Sequence, residues 1–591
     1  MLDKKIINTD LCVIGGGMAG IAAAISAARE GIKVVLMHER AVLGGNASSE
    51  IRMWICGSQG KNNRETGIIE EIALENLYRN PTKSYAVWDT VLYDFVKREK
   101  NITLLLNCSC MDAETEEGTF KYGRTKKITS VTGWQMTTQC FYEVKAKFFC
   151  DSSGDSILAP LTGAEFKIGR EGKNEFSEDT EREEADNFTM GMSCLIQGRE
   201  TDKKIEYKAP ECATPLTEEN FNHRNLNIKS DYENYWYLEL GGDKNTISDT
   251  EVLRDELIGL AAGTWDYIKN SGKFDSETWE LDFLGFLPGK RESRRMVGEV
   301  MISQRDVSDG VIFHDEIAYG GWPLDDHFPG GFYHKGAPNT NRMTPAPYSI
   351  PYRALYSKNV ENLFFAGRNI SMTHMAMSSI RVMATCALLG EAVGKAASLA
   401  VRNSLTPQGV YLEKLGELQT LLQNEDAFLP HIRRKISPLC KNAALSGDET
   451  LRNGEDRIHK LYGEKTPYFV EKGKDISYQF KESKVSEIHI VFDSDLDRCT
   501  LPGSECERIH STRANTRLDS PVMHMPKTLC REFKLIGELN GEKTELLHVT
   551  DNRKRCYHIT QDSTFDCLTL VPIDIWDTDA EEIPVISFDF K

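Results

Sequence analysis

The sequence predicts an α/β fold carrying an inserted α+β region and followed by an all-β sandwich. Three observations carry that expectation. An apolar run, Thr9 to Ile14, leads into glycines spaced G-x-G-x-x-G and then into a helix of small residues. A second strand-like run, Glu361 to Asn369, leads toward another small-residue helix, Val382 to Ala400. Beyond residue 464, short segments alternate apolar and polar residues between turn formers.

Composition sets the bounds. At 591 residues the chain exceeds a single core and implies two or three domains. Hydrophobic residues at 40% supply material for large cores without metal or disulfide staples. The formal charge of −18 argues against nucleic acid or an anionic membrane surface as partner, since either needs a basic face. The 15 cysteines are odd in number and contain no C-x-x-C pair, so they read as free thiols in a reducing, cytoplasmic compartment. The first apolar stretch, Asp10 to Ala28, is broken by glycines and does not read as a secretory leader. No run has the length expected of a membrane span, and a homo-oligomer is left open.

Each part of the first motif has a physical job. Thr9 to Ile14 has the pattern of a buried parallel strand. Gly15 permits a tight turn, Gly17 lets the backbone approach a pyrophosphate, and Gly20 lets helix and strand pack closely. Ala24 and Gly31 are small where close packing would want them. The helix N-terminus offers N–H groups to phosphates. A second strand, Lys33 to Met37, ends just before Glu39, which stands 24 residues after Gly15, where a carboxylate accepts hydrogen bonds from an adenosine ribose. The expectation is a Rossmann-type dinucleotide site.

The next residues, Arg40 to Ser48 (RAVLGGNAS), resemble the paired-glycine motif of flavoproteins of the glutathione-reductase and fumarate-reductase type. The resemblance implies FAD rather than NAD, with Arg40, Gly44, Gly45 and Asn46 beside the flavin diphosphate. Ala366-Gly367-Arg368, with Arg381 before the following helix, is similar to the C-terminal FAD motif of that class, although the class usually has an aspartate where Arg368 stands. Phe148 to Asp155 (FFCDSSGD) resembles the segment before a third flavin contact, and Asp155 is the candidate. Together these motifs resemble the broad bacterial family of FAD-dependent oxidoreductases over about residues 5 to 400.

Absences prune the chemistry. No second G-x-G-x-x-G follows a strand, so no pyridine-nucleotide domain is expected, and no close redox cysteine pair accompanies the motifs. Cys108 and Cys110 alternate on one expected strand, ITLLLNCSC, as structural thiols. No histidine lies between His38 and His223, which predicts non-covalent FAD. His314, His327, His334 and His374 remain as active-site imidazoles, and histidine has the pKa range for the proton that accompanies hydride transfer. His374, five residues past Asn369, is the expected acid/base. In Gly289 to Arg295 (GKRESRR), Arg291, Arg294 and Arg295 are the candidates to clamp a carboxylate or oxyanion, one turned inward and the others structural, with internal ion pairs to Glu292 and Glu299 as the equal alternative.

Ala318 to Tyr348 holds Trp322, His327, Phe332, Tyr333, His334 and Tyr348 among glycines and prolines, and reads as a substrate lid or wall suited to polyhydroxylated rings. Glu50 to Trp54 places Arg52 or Trp54 near the flavin. The expected domains are an FAD-binding part at 1–170, a cap at 171–350, a second FAD-binding part at 351–400, a helical connector at 401–463 and the sandwich at 464–591. Glu171 to Trp279 reads as polar and irregular, with Glu178 to Asp186 a solvated acidic face. Ile476 to Phe480, Val485 to Phe492, Phe533 to Leu539, Leu546 to Val549 and Pro584 to Phe590 read as strands of a sandwich similar to galactose-binding jelly rolls, in an accessory role.

The expected activity is hydride transfer between flavin and a small polar CH–OH or C=O substrate, a carbohydrate derivative being the favoured class. A fumarate-reductase-like C=C reduction and a non-catalytic flavin- or carbohydrate-binding role are the alternatives. The electron donor or acceptor is left open, and no metal is expected.

Overall fold

The computed structural model describes residues 2–180, 182–463, 466–498 and 510–591. They form two compact units. Unit 1 comprises residues 1–58, 82–418 and 510–522, and unit 2 comprises 59–81, 419–509 and 523–591. Two stretches depart from the expected boundaries: 59–81 groups with the C-terminal unit, and 510–522 groups with the N-terminal one.

Unit 1 is built on a seven-stranded sheet. Its strands are β1 (Asp3–Ile14), β2 (Val34–Met37), β3 (Ile102–Leu105), β4 (Cys108–Glu117), β5 (Lys126–Gln135) and β6 (Cys140–Asp151), in the order β3-β2-β1-β6-β5-β4. β1, β2, β3 and β6 run parallel, whereas β4 and β5 are antiparallel additions. β5 pairs only with the first half of β6, which leaves residues 149–151 free to take Leu363–Phe365 as a further parallel strand. The expected single strand through Cys108 is two strands, because the chain turns at Asn107 with φ +53°.

Helix α1 (Met18–Arg29) crosses the core helix Met383–Asn403 on a face of small residues. A Cβ on Gly390 would fall on the Ala19 carbonyl, and one on Gly394 would come within 2.5 Å of the Ala23 carbonyl. Ser26 donates to the Glu391 carbonyl at 2.8 Å, and Lys395 pairs with Glu30 at 2.7 Å. Met383–Asn403 is long and apolar enough to cross a bilayer, contrary to the expectation that no run is, but it is buried inside unit 1. Gly31 does not pack against anything: it lies at φ +86° with no atom near its Cβ position, so its part is to end α1.

The cap is more regular than expected. Helix Thr250–Asn270 buries Leu253, Leu257, Leu260, Trp265 and Ile268 at helical spacing, and they join Tyr235, Tyr237 and Trp279 in one apolar cluster.

Unit 2 is one continuous antiparallel sheet with Ile476–Phe492 and Cys556–Ile575 as its long central strands. Register shifts between Gln479 and Ser483 and between Val485 and Glu487 break the pairing. Ile476 and Tyr478 from one half and Ile488 and Ile490 from the other bury in the same core. Leu74 and Leu77 of helix Ile68–Arg79 join that core, which accounts for the grouping of 59–81 here.

The close crossing of α1 and Met383–Asn403 leads to a stability prediction. Gly390→Leu should destabilise unit 1 by about 1–3 kcal/mol or more through overpacking, read as a lowered denaturation midpoint. An unchanged midpoint would show slack between the helices.

Candidate active site

Parallel register brings four strand ends to one edge. Ile14 stands beside Met37 and Asp151, and Asp151 beside Phe365. The loops that follow are therefore neighbours, at the carboxyl ends where open α/β sheets bind ligands. Gly15 lies at φ +105° against the Ser152 carbonyl, and a Cβ on Gly20 would strike the Gly15 carbonyl. Gly17 bridges Gly44, and among the described residues beyond its chain neighbours a Cβ built on Gly17 meets only the Gly45 Cα within 4 Å. His38 ties the turn together: its Nδ1 accepts from the Gly16 N–H at 3.0 Å, and its Nε2 faces the Val42 carbonyl at 3.0 Å.

This cradle fits the diphosphate of FAD. α1 begins at Gly17 with no side-chain cap, so its first N–H groups face the open space beside Gly45. Arg40 lies alongside Gly45 and pairs with Glu50 at 3.4 Å, while Ser48 Oγ is buried with no hydrogen-bond partner among the described residues. Glu39, half exposed at the end of β2, presents a carboxylate beside Arg40. Gly367, at φ +118°, places the other motif against Ala19 of α1, and the Asn369 Oδ1 next to it is buried and unpartnered.

The flavin end differs from the family pattern by an exchange of charge. Asp155 accepts from Arg368 Nη2 at 3.0 Å, from Ser293 Oγ at 2.7 Å and from Lys290 Nζ at 2.8 Å. Burial would raise the Asp155 pKa, but Arg368 and Lys290 prevail and hold it below the ordinary carboxylate range. The carboxylate missing from position 368 thus stands at 155, across an ion pair. Asn46 donates to the Lys290 carbonyl at 3.0 Å and so joins the same group.

Deeper in unit 1 lies a layer of buried charges. His374, at the start of helix His374–Ile380, faces Glu292 from Nδ1 at 2.8 Å and Asp326 from Nε2 at 2.9 Å. Burial opposes the charged ring, yet the two carboxylates lift its pKa to about 10. Arg295 pairs with Glu171 at 3.1 Å and Glu292 at 3.4 Å, and Arg291 with Glu239 at 3.4 Å while donating to Ser193 and to the Trp236 carbonyl. Glu178, expected on a solvated face, is buried and accepts from Thr373 and from the Gln304 N–H. Glu181 of that acidic run lies outside the described residues.

The 318–348 loop brings Asp325, Asp326 and His327 to these charges. Leu324–His327 pairs with Asn339–Arg342. His327 is buried, with Nδ1 on Glu239 at 2.6 Å and Nε2 3.0 Å from Arg381 Nη2. Its ring meets Trp236 edge-on at 5.1 Å. Burial opposes charging of His327, the carboxylates of Glu239 and Asp325 favour it, and the balance lies above the ordinary value. Phe332 and Tyr348 turn instead into the interior, the latter bonded to Ser379 at 2.6 Å.

Several expectations change. His374 has both ring nitrogens engaged, Nδ1 with Glu292 and Nε2 with Asp326, which favours a bracing role over the expected general base. Arg294 is no clamp: its guanidinium donates to the Asp155 carbonyl at 3.1 Å and covers Phe166, while Arg295 is the buried neighbour. Glu292, expected as an ion-pair partner of these arginines, pairs with Arg295 at 3.4 Å, whereas Glu239, Asp325 and Asp326 did not stand out in the sequence. The run Asp325-Asp326-His327 between Trp322 and Phe328 was the available signal.

A family described as FAD dependent oxidoreductase matches residues 10–422, well over half the chain. No curated protein matches it. Similar solved structures include a geranylgeranyl bacteriochlorophyll reductase-like protein from Thermoplasma acidophilum, 11% identical, covering 71% of this chain and 84% of that one with a TM-score of 0.31. The p-nitrophenol 4-monooxygenase of Pseudomonas putida is 10% identical, covering 71% and 86% at a TM-score of 0.31. The family 32 carbohydrate-binding module of EndoD from Streptococcus pneumoniae is 12% identical, covering 26% and 99% at a TM-score of 0.19. With the glycine cradle and the match over 10–422 in place, the chain belongs to the FAD-dependent oxidoreductases and takes FAD as its cofactor.

Proposed function

We propose that this oxidoreductase oxidises a CH–OH carbon of a small, neutral, polyhydroxylated substrate, a carbohydrate derivative, to the carbonyl. Bound FAD supplies the acceptor for the hydride and its electron pair. The supporting observation is the Glu239–His327 pair beside Arg381. Glu239 holds the Nδ1 side of the ring, and Nε2, contacted by Arg381 Nη2 at 3.0 Å and Asp325 at 3.5 Å, is the nitrogen that would take the hydroxyl proton once the substrate displaces Arg381 from it. Arg381, anchored on Asp325 at 3.0 Å, is placed to hold the substrate oxygen as charge develops on it. Trp236 and the 318–348 loop exclude water from that point.

Charge balance favours a neutral substrate over the dicarboxylate of a C=C reductase. Arg291, Arg295 and Arg381 are each already matched by a buried carboxylate, Glu239, Glu171 or Asp325. A dianion would have to strip those pairs, which costs several kcal/mol for each uncompensated buried charge.

His327→Gln should retain FAD and lose roughly 10²–10⁴-fold in flavin reduction by the alcohol substrate, read by anaerobic bleaching with sugars and polyols. Retained bleaching in the variant would remove His327 from proton transfer. Oxidation of the reduced protein by unsaturated dicarboxylates, with no bleaching by any polyol, would overturn the reaction itself.

His374 gives a prediction of a different kind. Its pKa is raised on folding from 6.5 to about 10, so its charge contributes stability that is fully present below 6.5 and is lost as pH rises through 10. The stability gap between the wild type and His374→Gln should therefore be widest in mild acid and shrink steadily up to pH 10. A gap that is flat across this range would mean the ring is neutral.

A further inference from the structure

The segment 510–522 lies far along the chain, among the strands of unit 2 in sequence, yet belongs to unit 1. It is held there by specific bonds rather than by loose contact. Gly198 donates to Asn515 Oδ1 at 2.9 Å, Thr516 donates back to the Gly198 carbonyl at 2.9 Å, and the Glu200 N–H reaches the Thr516 carbonyl at 2.8 Å. Asn515 Nδ2 donates to the Ile228 carbonyl, and Gln197 Nε2 to the Arg513 carbonyl.

At its leading end the segment meets the stretch that joins the two flavin motifs. Met53 donates to the Asn46 carbonyl at 2.8 Å, and the Cys56 carbonyl accepts from Ala384, three residues past Arg381, at 3.0 Å. Trp54 sits between these two anchors. His510 stacks on its indole with ring centroids 4.5 Å apart and planes 5° from parallel. The indole Nε1 is buried and has no hydrogen-bond partner among the described residues. The same segment also braces Arg52: Thr512 donates to the Tyr85 hydroxyl at 3.0 Å, and that hydroxyl donates to the Arg52 carbonyl at 2.9 Å. Arg52 holds a left-handed φ of +67°, with its guanidinium over Phe283 at 4.1 Å and bonded to Gln197 at 2.7 Å. A backbone kept in that region by so many partners is a mark of a functional segment.

We infer that Trp54 and His510 form a second wall of the substrate site, in which His510 positions the indole and the unpartnered indole N–H donates to a hydroxyl of a polyhydroxylated ring. This rests on the proposed reading of the substrate class. It makes residues 510–522 a specificity element of the flavin site. An aromatic face with one fixed donor suits a sugar ring, whose C–H face packs on the ring system while its hydroxyls take directed bonds.

The experiment uses the full-length, FAD-loaded protein and a panel of hexoses and polyols. Binding is read as perturbation of the visible flavin spectrum at equilibrium, and turnover as anaerobic bleaching. His510→Ala and Trp54→Phe should each raise the KM and the spectral Kd about tenfold, the effect of roughly 1.4 kcal/mol, with unchanged FAD content and kcat within about threefold. His510→Phe, which restores the stack, should recover most of the loss. Wild-type KM and Kd in both His510→Ala and Trp54→Phe would overturn the inference and leave the reaction standing. Sugars that perturb the wild-type spectrum through Trp54 but never bleach it would overturn the reaction and leave the wall standing. A wild-type flavin that no member of the panel perturbs or bleaches overturns both.

Discussion

Everything in unit 1 depends on the parallel register of β1, β2, β6 and the strand 363–365. Parallel pairing aligns the ends at Ile14, Met37, Asp151 and Phe365 without any help from the loops. The glycine turn, the paired glycines, the Ser152–Asp155 turn and the Gly367 segment therefore open onto one edge, although they are separated by hundreds of residues. The register itself depends on β5 leaving β6 early, because only then is there an edge for 363–365 to occupy. It also depends on α1 and Met383–Asn403 meeting on small residues, which holds both nucleotide motifs against the same helix pair.

Burying so many charges is costly, and the cap meets that cost by pairing. Glu171, Glu239, Glu292, Asp325 and Asp326 each face a buried cation or imidazole within 3.5 Å. A hydrophobic core of equal volume would be as stable or more so, so the benefit of the layer lies in fixed direction. His374 locks the Glu292 segment to the Asp326 hairpin, and Glu239 orients His327 toward Arg381. His327 is thereby held within a framework of paired groups.

Much of the cofactor half was legible in the residues. Gly15, Gly17, Gly20, Arg40, Gly44 and Gly45 stand together because a local motif carries its own geometry: spacing and side-chain size decide the turn. Asp155 and Arg368 were legible as candidates but not as partners, since no spacing rule links residues on different strands. The helix Thr250–Asn270 was within reach and missed, its leucine period hidden among the charged residues of its exposed face. The acid/base assignment went to His374 for its nearness to a motif, and position along the chain says nothing about what faces an imidazole.

From the amino-acid order alone came the dinucleotide unit, the flavin, the aromatic loop and the alternating strands of the C-terminal unit, each of which is written in a short window where period, glycine placement or composition acts locally. Folding settled which carboxylate meets which cation, and that residues 510–522 stand beside Trp54. Those are relations between distant segments, set by the packing of whole elements, and no local pattern contains them.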